Sequence, residues 1–448
     1  MSSIVIDSIT ATGSTLECDV RPSKDLERFF SGEPFRVEYD RSIEDVPEGI
    51  LAIPALANVC PLAWASGADV YVDEVDGRFA HALEDVKASL LSMHDFLEGG
   101  TLYARETTDA EPPAVESSAE RDHGRSTDAD SALLFTGGVD STCSYVRHRE
   151  ESPTLVSIRG WTITTDRADD EKWNDLRERV STFADERGLE TAFLESNVLS
   201  AIDHPMVLAH YKRFVDGAWY SSVGHGLGLL GLCAPMAYAR GISELYVGAT
   251  HWEGVDLEWG SRPDIDDYVR WSGTRCHHDA YGLTRQERLD VIADYVESDA
   301  PTLDLQTCNV RMDGNCGRCE KCYRTAVGLR LSGLEPTAHG YPFDETEYDR
   351  IRRTLEGGEW ELGEDERYMW ADIRDRVRET TPESAAERAF FEWLVDADLE
   401  ELVSEAEPPL SDRLLRAGAR NVPTRLYNAA YPAVKSARTG LERVRSAR

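Results

Sequence analysis

The stretch Ser131-Ala-Leu-Leu-Phe-Thr-Gly-Gly-Val-Asp-Ser-Thr-Cys143 commits the middle of this chain to one local geometry. An apolar run, Ala132 to Phe135, has the length of a buried strand and meets Thr136, Gly137 and Gly138 at once. Val139, Asp140, Ser141 and Thr142 then open a helix that continues through Tyr145 and Val146. Strand, glycine turn and helix start together form an anion site: the glycines let the backbone approach a ligand closely, and unpaired N–H groups at the positive end of the helix dipole face a phosphate. Hydroxyls of Thr136, Ser141 and Thr142 can add hydrogen bonds, and Asp140 can hold a magnesium ion (Mg2+) carried by a nucleotide. The other common phosphate loop, Gly-x-x-x-x-Gly-Lys-Ser/Thr, is absent.

Strand and helix patterns alternate after this loop. Thr154-Leu-Val-Ser-Ile, Thr191-Ala-Phe-Leu-Glu and Glu244-Leu-Tyr-Val-Gly-Ala read as strands, with a helix through Trp173 to Glu186 between the first two. Repeated units of this length predict an α/β fold, a doubly wound parallel sheet with helices on both faces and the ligand at the carboxyl ends of the strands. The apolar stretch Trp219 to Arg240, broken by Pro235, is expected as the buried helix behind the site. Gly248 ends the last strand at the ligand side, and a polar, aromatic loop follows it. Thr250, His251, Glu253, Asp256, Arg262, Asp264 and Asp266 are its candidates for substrate contact or proton transfer. Thr284-Arg-Gln-Glu287 is a capping box opening a further helix.

Cys308, Cys316, Cys319 and Cys322 follow the pattern C-x7-C-x2-C-x2-C. Four thiolates this close, on a loop with two glycines, can surround a tetrahedral zinc (Zn2+), which would pin the loop. An iron–sulfur cluster is the alternative, since C-x2-C-x2-C also occurs in cluster proteins.

The loop Thr136–Thr142 resembles the S-G-G-x-D-S pyrophosphate loop, or PP-loop, of the ATP pyrophosphatase superfamily, with Thr136 in place of the first serine. That resemblance implies an adenine nucleotide alpha hydrolase-like fold and an enzyme that binds ATP and Mg2+, adenylates a carboxylate or carbonyl oxygen, and lets a nitrogen or sulfur nucleophile displace AMP. With the four cysteines about 170 residues downstream, the chain is similar to the 7-cyano-7-deazaguanine synthase branch, which makes a nitrile from a carboxylate, ammonia and ATP and carries a structural zinc. The likeness covers about residues 131–335, under half the chain. Asp264 matches the branch's aspartate and joins Asp140 and Ser141 as an expected catalytic residue. Ile265 and Asp266 stand where the branch has Cys and Arg, and its Arg-Asn pair is replaced around His225 to Gly228, which implies a different acceptor. The resemblance thus points to an ATP-dependent carbon–nitrogen ligase acting on a small carboxylate with a separate ammonia donor. Two alternatives stand beside it: sulfur transfer to tRNA, and a non-catalytic nucleotide-sensing or defence-associated module.

The flanks divide the chain further. Residues 1–105 read as an accessory α/β or α+β unit with strands at Ser3–Asp7, Phe35–Tyr39, Ile50–Pro54 and Ala68–Asp73, and a helix from Gly77 to about Leu97; His81 and His94 are expected on its surface. Residues 106–130 lack large apolar groups and read as an acidic linker. The expected ATP domain is 131–335, a helical extension 336–410, and a basic tail 411–448. Net charge is −35, with only six lysines. This excess resembles the acidic surfaces of salt-loving archaeal proteins and argues against general nucleic-acid affinity. No apolar run reaches membrane-spanning length and no basic–apolar leader opens the chain, so a cytoplasmic enzyme is expected, with a homodimer left open.

Overall fold

A computed structural model describes residues 2–110, 130–215, 217–298, 303–308, 310–360 and 362–404, with Val422 and Leu426. Most of the acidic linker and nearly all of the basic tail lie outside the described residues. Among the described residues, one sheet of eleven strands runs through the fold. In chain order these are β1 Ser3–Thr12, β2 Thr15–Pro22, β3 Phe35–Glu38, β4 Asp69–Asp76, β5 Leu102–Thr108, β6 Ser131–Leu134, β7 Thr154–Arg159, β8 Thr191–Ser196, β9 Glu244–Gly248, β10 Arg270–Trp271 and β11 Thr274–Asp279. Their spatial order is β10-β11-β9-β6-β7-β8-β3-β2-β1-β4-β5.

The central strands β11-β9-β6-β7-β8 are all parallel. From β6 the chain steps outward to β7 and β8, then returns to the opposite side of β6 for β9 and β11. The order therefore reverses between β6 and β9, and such a switch point leaves a crevice at the carboxyl ends of the strands. Both faces of this region are covered. Ala132 and Leu245 belong to one apolar core, whereas the neighbouring Leu133 lies in another with Phe135, Val180 and Leu289. Alternate side chains of a parallel strand are thereby buried on both faces.

The N-terminal segment extends the same sheet. β3 pairs antiparallel with β8 through Val37↔Ser196 and Glu38↔Glu195. A single core holds Ile4, Phe35 and Leu56 together with Leu227, Leu230 and Ala132. The sequence expectation of a strand at Ile50–Pro54 is corrected: these residues lie in the helices Glu48–Leu51 and Ile53–Ser66. Nearly every residue of the second helix is buried, so its sequence carries no polar face to reveal the helical period. Pro54 sits in its first turn, where a missing N–H costs nothing. The helix Gly77–Met93 forms as expected, with the Asp76 carboxylate accepting from Phe79 N at 2.9 Å. His94, expected at the surface, is buried and its Nε2 lies 2.9 Å from Ser222 O.

The apolar stretch at 219–240 bends through a π-turn, Tyr220–Gly224, into helices His225–Leu232 and Ala234–Arg240. The C-terminal region consists of helices Glu345–Glu356, Glu364–Val377, Ala385–Asp396 and Leu399–Ser404. They share a third core with Tyr323 and Val327 of helix Glu320–Leu331. No helix among the described residues is long and apolar enough to cross a membrane.

Candidate functional site

The glycine turn sits at the carboxyl end of β6, on the switch point. Gly137 has φ +79°, a conformation that side chains with a Cβ rarely adopt. Gly138 caps the helix Val139–His148 with extended backbone, and no side chain caps that helix start. Its first-turn N–H groups thus remain for a ligand. Thr136 is exposed, and its N–H donates to Ser141 Oγ at 3.4 Å. Ser141 Oγ in turn donates to Gly138 O at 3.3 Å, so this hydroxyl braces the turn. Thr142 is buried on the inner side of the helix and its Oγ1 has no partner, away from the exposed Thr136.

Gly248 ends β9 beside this helix. A Cβ there would stand 2.9 Å from the backbone C and O of Asp140. Glycine is what allows the helix start to press against β9, which is a packing requirement rather than a ligand contact.

Asp140 is engaged by two arginines that sequence reasoning missed. Arg285 Nη1 reaches its two oxygens at 2.9 and 2.8 Å, and Arg288 Nη1 reaches Oδ1 at 2.9 Å. Arg288 is fully buried and also donates to Ala249 O, Thr250 O, His251 O and Ala280 O. One guanidinium therefore ties the helix start to the ends of β9 and β11. The capping box places both arginines: Thr284 N donates to Glu287 Oε2 at 2.8 Å, and Glu287 N donates to Thr284 Oγ1 at 3.2 Å. Residues 285 and 288 then fall on one face of the helix Arg285–Ser298.

The loop after β9 divides into an outer and an inner part. Glu253 and Asp256 are exposed, and Asp264 pairs with Arg262 Nε at 3.0 Å on its open side. Asp266, two residues on, is completely buried; its Oδ2 accepts from Ser261 Oγ at 2.6 Å and lies 2.8 Å from His278 Nδ1. Burial raises its pKa above the usual carboxylate value, opposed by His278. A solvent-facing substrate contact is therefore not the position of Asp266. His251 is buried, with Nε2 2.7 Å from Asp365 Oδ1 and its ring edge-on to Trp259 at 4.7 Å. His225 lies 5.8 Å from Trp259, and burial together with His278 and His251 pushes its pKa down to about 4. Asp365 comes from the C-terminal helices, far away in sequence and invisible to motif reading.

The four cysteines converge. Sγ–Sγ distances are 3.9 Å for Cys308–Cys319, 3.8 Å for Cys316–Cys322 and 3.3 Å for Cys319–Cys322, and all four sulfurs lie within 4.8 Å of one another. Four thiolates about 2.3 Å from a tetrahedral zinc stand about 3.8 Å apart, so the group could hold one metal ion such as zinc. Arg311 N donates to Cys308 Sγ at 3.4 Å and Cys319 N to Cys316 Sγ at 3.3 Å, bonds that stabilise thiolates. Asn315 Oδ1 accepts from Thr307 N and Cys308 N, holding the loop closed.

This four-cysteine loop lies against the glycine turn. Gln306 N donates to Gly137 O at 2.8 Å. Arg179 spans both, with Nη1 on Met312 O at 2.7 Å and Nη2 on Thr136 O at 3.3 Å. The helix Glu320–Leu331, which carries Cys322, adds Lys321 near Arg285 and Asp365, and Arg324 near Asp365. Arg324 is buried, and its Nη1 has no hydrogen-bond partner. Compared with known protein families and with curated proteins, the chain matches none.

Proposed function

We propose that the chain is an ATP-dependent, AMP-forming enzyme of the PP-loop class that activates a small carboxylate or carbonyl acceptor and transfers nitrogen to it. The observation that carries this reading is the glycine turn and uncapped helix start at the point where the strand order reverses. The N–H groups at 138–141 hold the phosphates, and the Arg285 guanidinium beside them stabilises charge that develops on the departing pyrophosphate. Three bonds from the two arginines occupy most of the acceptor positions of Asp140. Asp140 would hold, with the acceptor capacity left to it, the magnesium ion that would neutralise phosphate oxygens. His251, oriented by Asp365, takes a proton from the incoming nitrogen. Lys321 and Arg324 attract the anionic end of the acceptor. The close packing of four sulfurs around one point favours nitrogen transfer over the sulfur-transfer reading, because a multi-iron cluster would spread its thiolate ligands over separate irons.

The test is release of AMP and pyrophosphate on a panel of small carboxylates with ammonium, in high salt. Ser141→Ala and Thr136→Ala are expected to lower ATP affinity at least tenfold, with at most a small drop in thermal melting for Ser141→Ala, whose hydroxyl braces the turn. Absence of ATP binding in the parent chain, or unchanged affinity in both variants, would falsify the assignment.

A further inference from the structure

The sheet ends unequally at its two edges. β10, at one end, is two residues long, whereas β5, at the other, runs for seven residues, carries no proline and has no strand beyond it among the described residues. A long open edge of this kind is a template for another strand, from which β10 is protected by its shortness.

An apolar row leads up to this edge. Register sets Arg21 beside Val5, Val5 beside Tyr71 and Tyr71 beside Tyr103, across β2, β1, β4 and β5. The neighbouring Ile4, Ile6, Val70 and Val72 are buried in the core, so the row faces outward. Val5 is 37%, Tyr71 41% and Tyr103 48% exposed, and the two tyrosine rings stack 5.1 Å apart. In a chain with a net charge of −35, three large apolar side chains standing together in solvent mark an interaction surface.

Charge selects the occupant. An acidic surface repels a second copy, but beside this row the charges are matched: Arg105 Nε lies 3.6 Å from Asp73 Oδ1, and Arg21 pairs with Asp7. Two copies meeting edge to edge about a two-fold axis pair β5 with β5 antiparallel, and the position of the axis decides which residues face each other. An axis at Arg105 or Glu106 opposes like charges. An axis at Tyr103 pairs only Leu102–Ala104 of the strand. An axis at Ala104 pairs Leu102–Glu106 and sets Tyr103 of each copy opposite Arg105 of the other, a cation against an aromatic face.

We propose that the protein is a homodimer joined through β5, antiparallel about Ala104, so that the two sheets continue into one and the tyrosine rows meet at the seam. This dimer stands apart from the ATP-dependent reading above.

The experiment is sedimentation equilibrium on the full chain in high salt, with circular dichroism as the check on folding. The parent is expected at twice the chain mass. Tyr103 and Arg105 are both exposed, so substitutions there leave the core intact. Tyr103→Lys places a cation opposite Arg105 and should weaken association at least tenfold; Arg105→Glu removes the cation–ring pair and should weaken it severalfold. Combining the two sets opposite charges across the seam and should recover part of the affinity lost in Tyr103→Lys, which mere loss of apolar surface would not allow. A monomeric parent, or a dimer that both single variants leave unchanged, overturns the proposal. So does a double variant no tighter than Tyr103→Lys alone, because the two positions would then not face each other.

Discussion

Arg288 shows how much of the site rests on a single side chain. It is fully buried, pairs with Asp140, and donates to carbonyls on two segments, 249–251 and Ala280. Removing one partner from such a network leaves a buried charge and several carbonyls unmatched. Arg288→Met should cost about 3–5 kcal/mol in chemical denaturation, in the range seen when buried ion pairs are broken. A loss below about 1 kcal/mol would mean that water replaces the guanidinium. The residue was not legible beforehand, because its carboxylate partner lies 148 positions away. The i, i+3 spacing of Arg285 and Arg288 behind a capping box was the only local signal. The cysteines were legible because their ligand spacing is itself the chemistry. His94 was misread since a lone histidine at a helix end carries no sign of the chain that will cover it.

At the scale of elements, the four-cysteine loop and the glycine turn form one unit through Gln306 and Arg179. Removal of a metal held there should therefore reach the proposed nucleotide site. Chelation is expected to release about one zinc per chain and to lower ATP affinity at least tenfold, measured by titration before and after adding zinc back. Unchanged ATP affinity in zinc-free chain would show that the two loops are energetically separate. Strands β6 to β9 were readable because apolar runs bounded by Gly, Asn and charged residues have few other uses. The β10–β11 hairpin was not, since Arg270–Trp271 is only two residues long and lies within a polar segment. The helices at 48–66 failed for the opposite reason: burial on every side erases periodicity.

For the whole molecule, the net charge of −35 sets the conditions of folding. At about 0.1 M salt the screening length is about 10 Å and the acidic surface repels itself; at about 1 M it is about 3 Å. The melting temperature should rise by at least about 10 °C between these conditions, read by circular dichroism. A flat profile would show that local ion pairs already balance the surface. Composition announced this charge plainly. It could not announce that residues 1–105 join the central sheet, since the β3–β8 pairing brings together segments that share no local pattern.

That seam also has a history in time. β3 leaves the ribosome roughly 150 residues before β8, so at about 5–20 residues per second its free edge waits about 8–30 s for a neighbour. A strand of four residues with Arg36 and Glu38 turned outward is a poor template for foreign chains. The newborn N-terminal half can stay solitary until its own downstream sequence arrives.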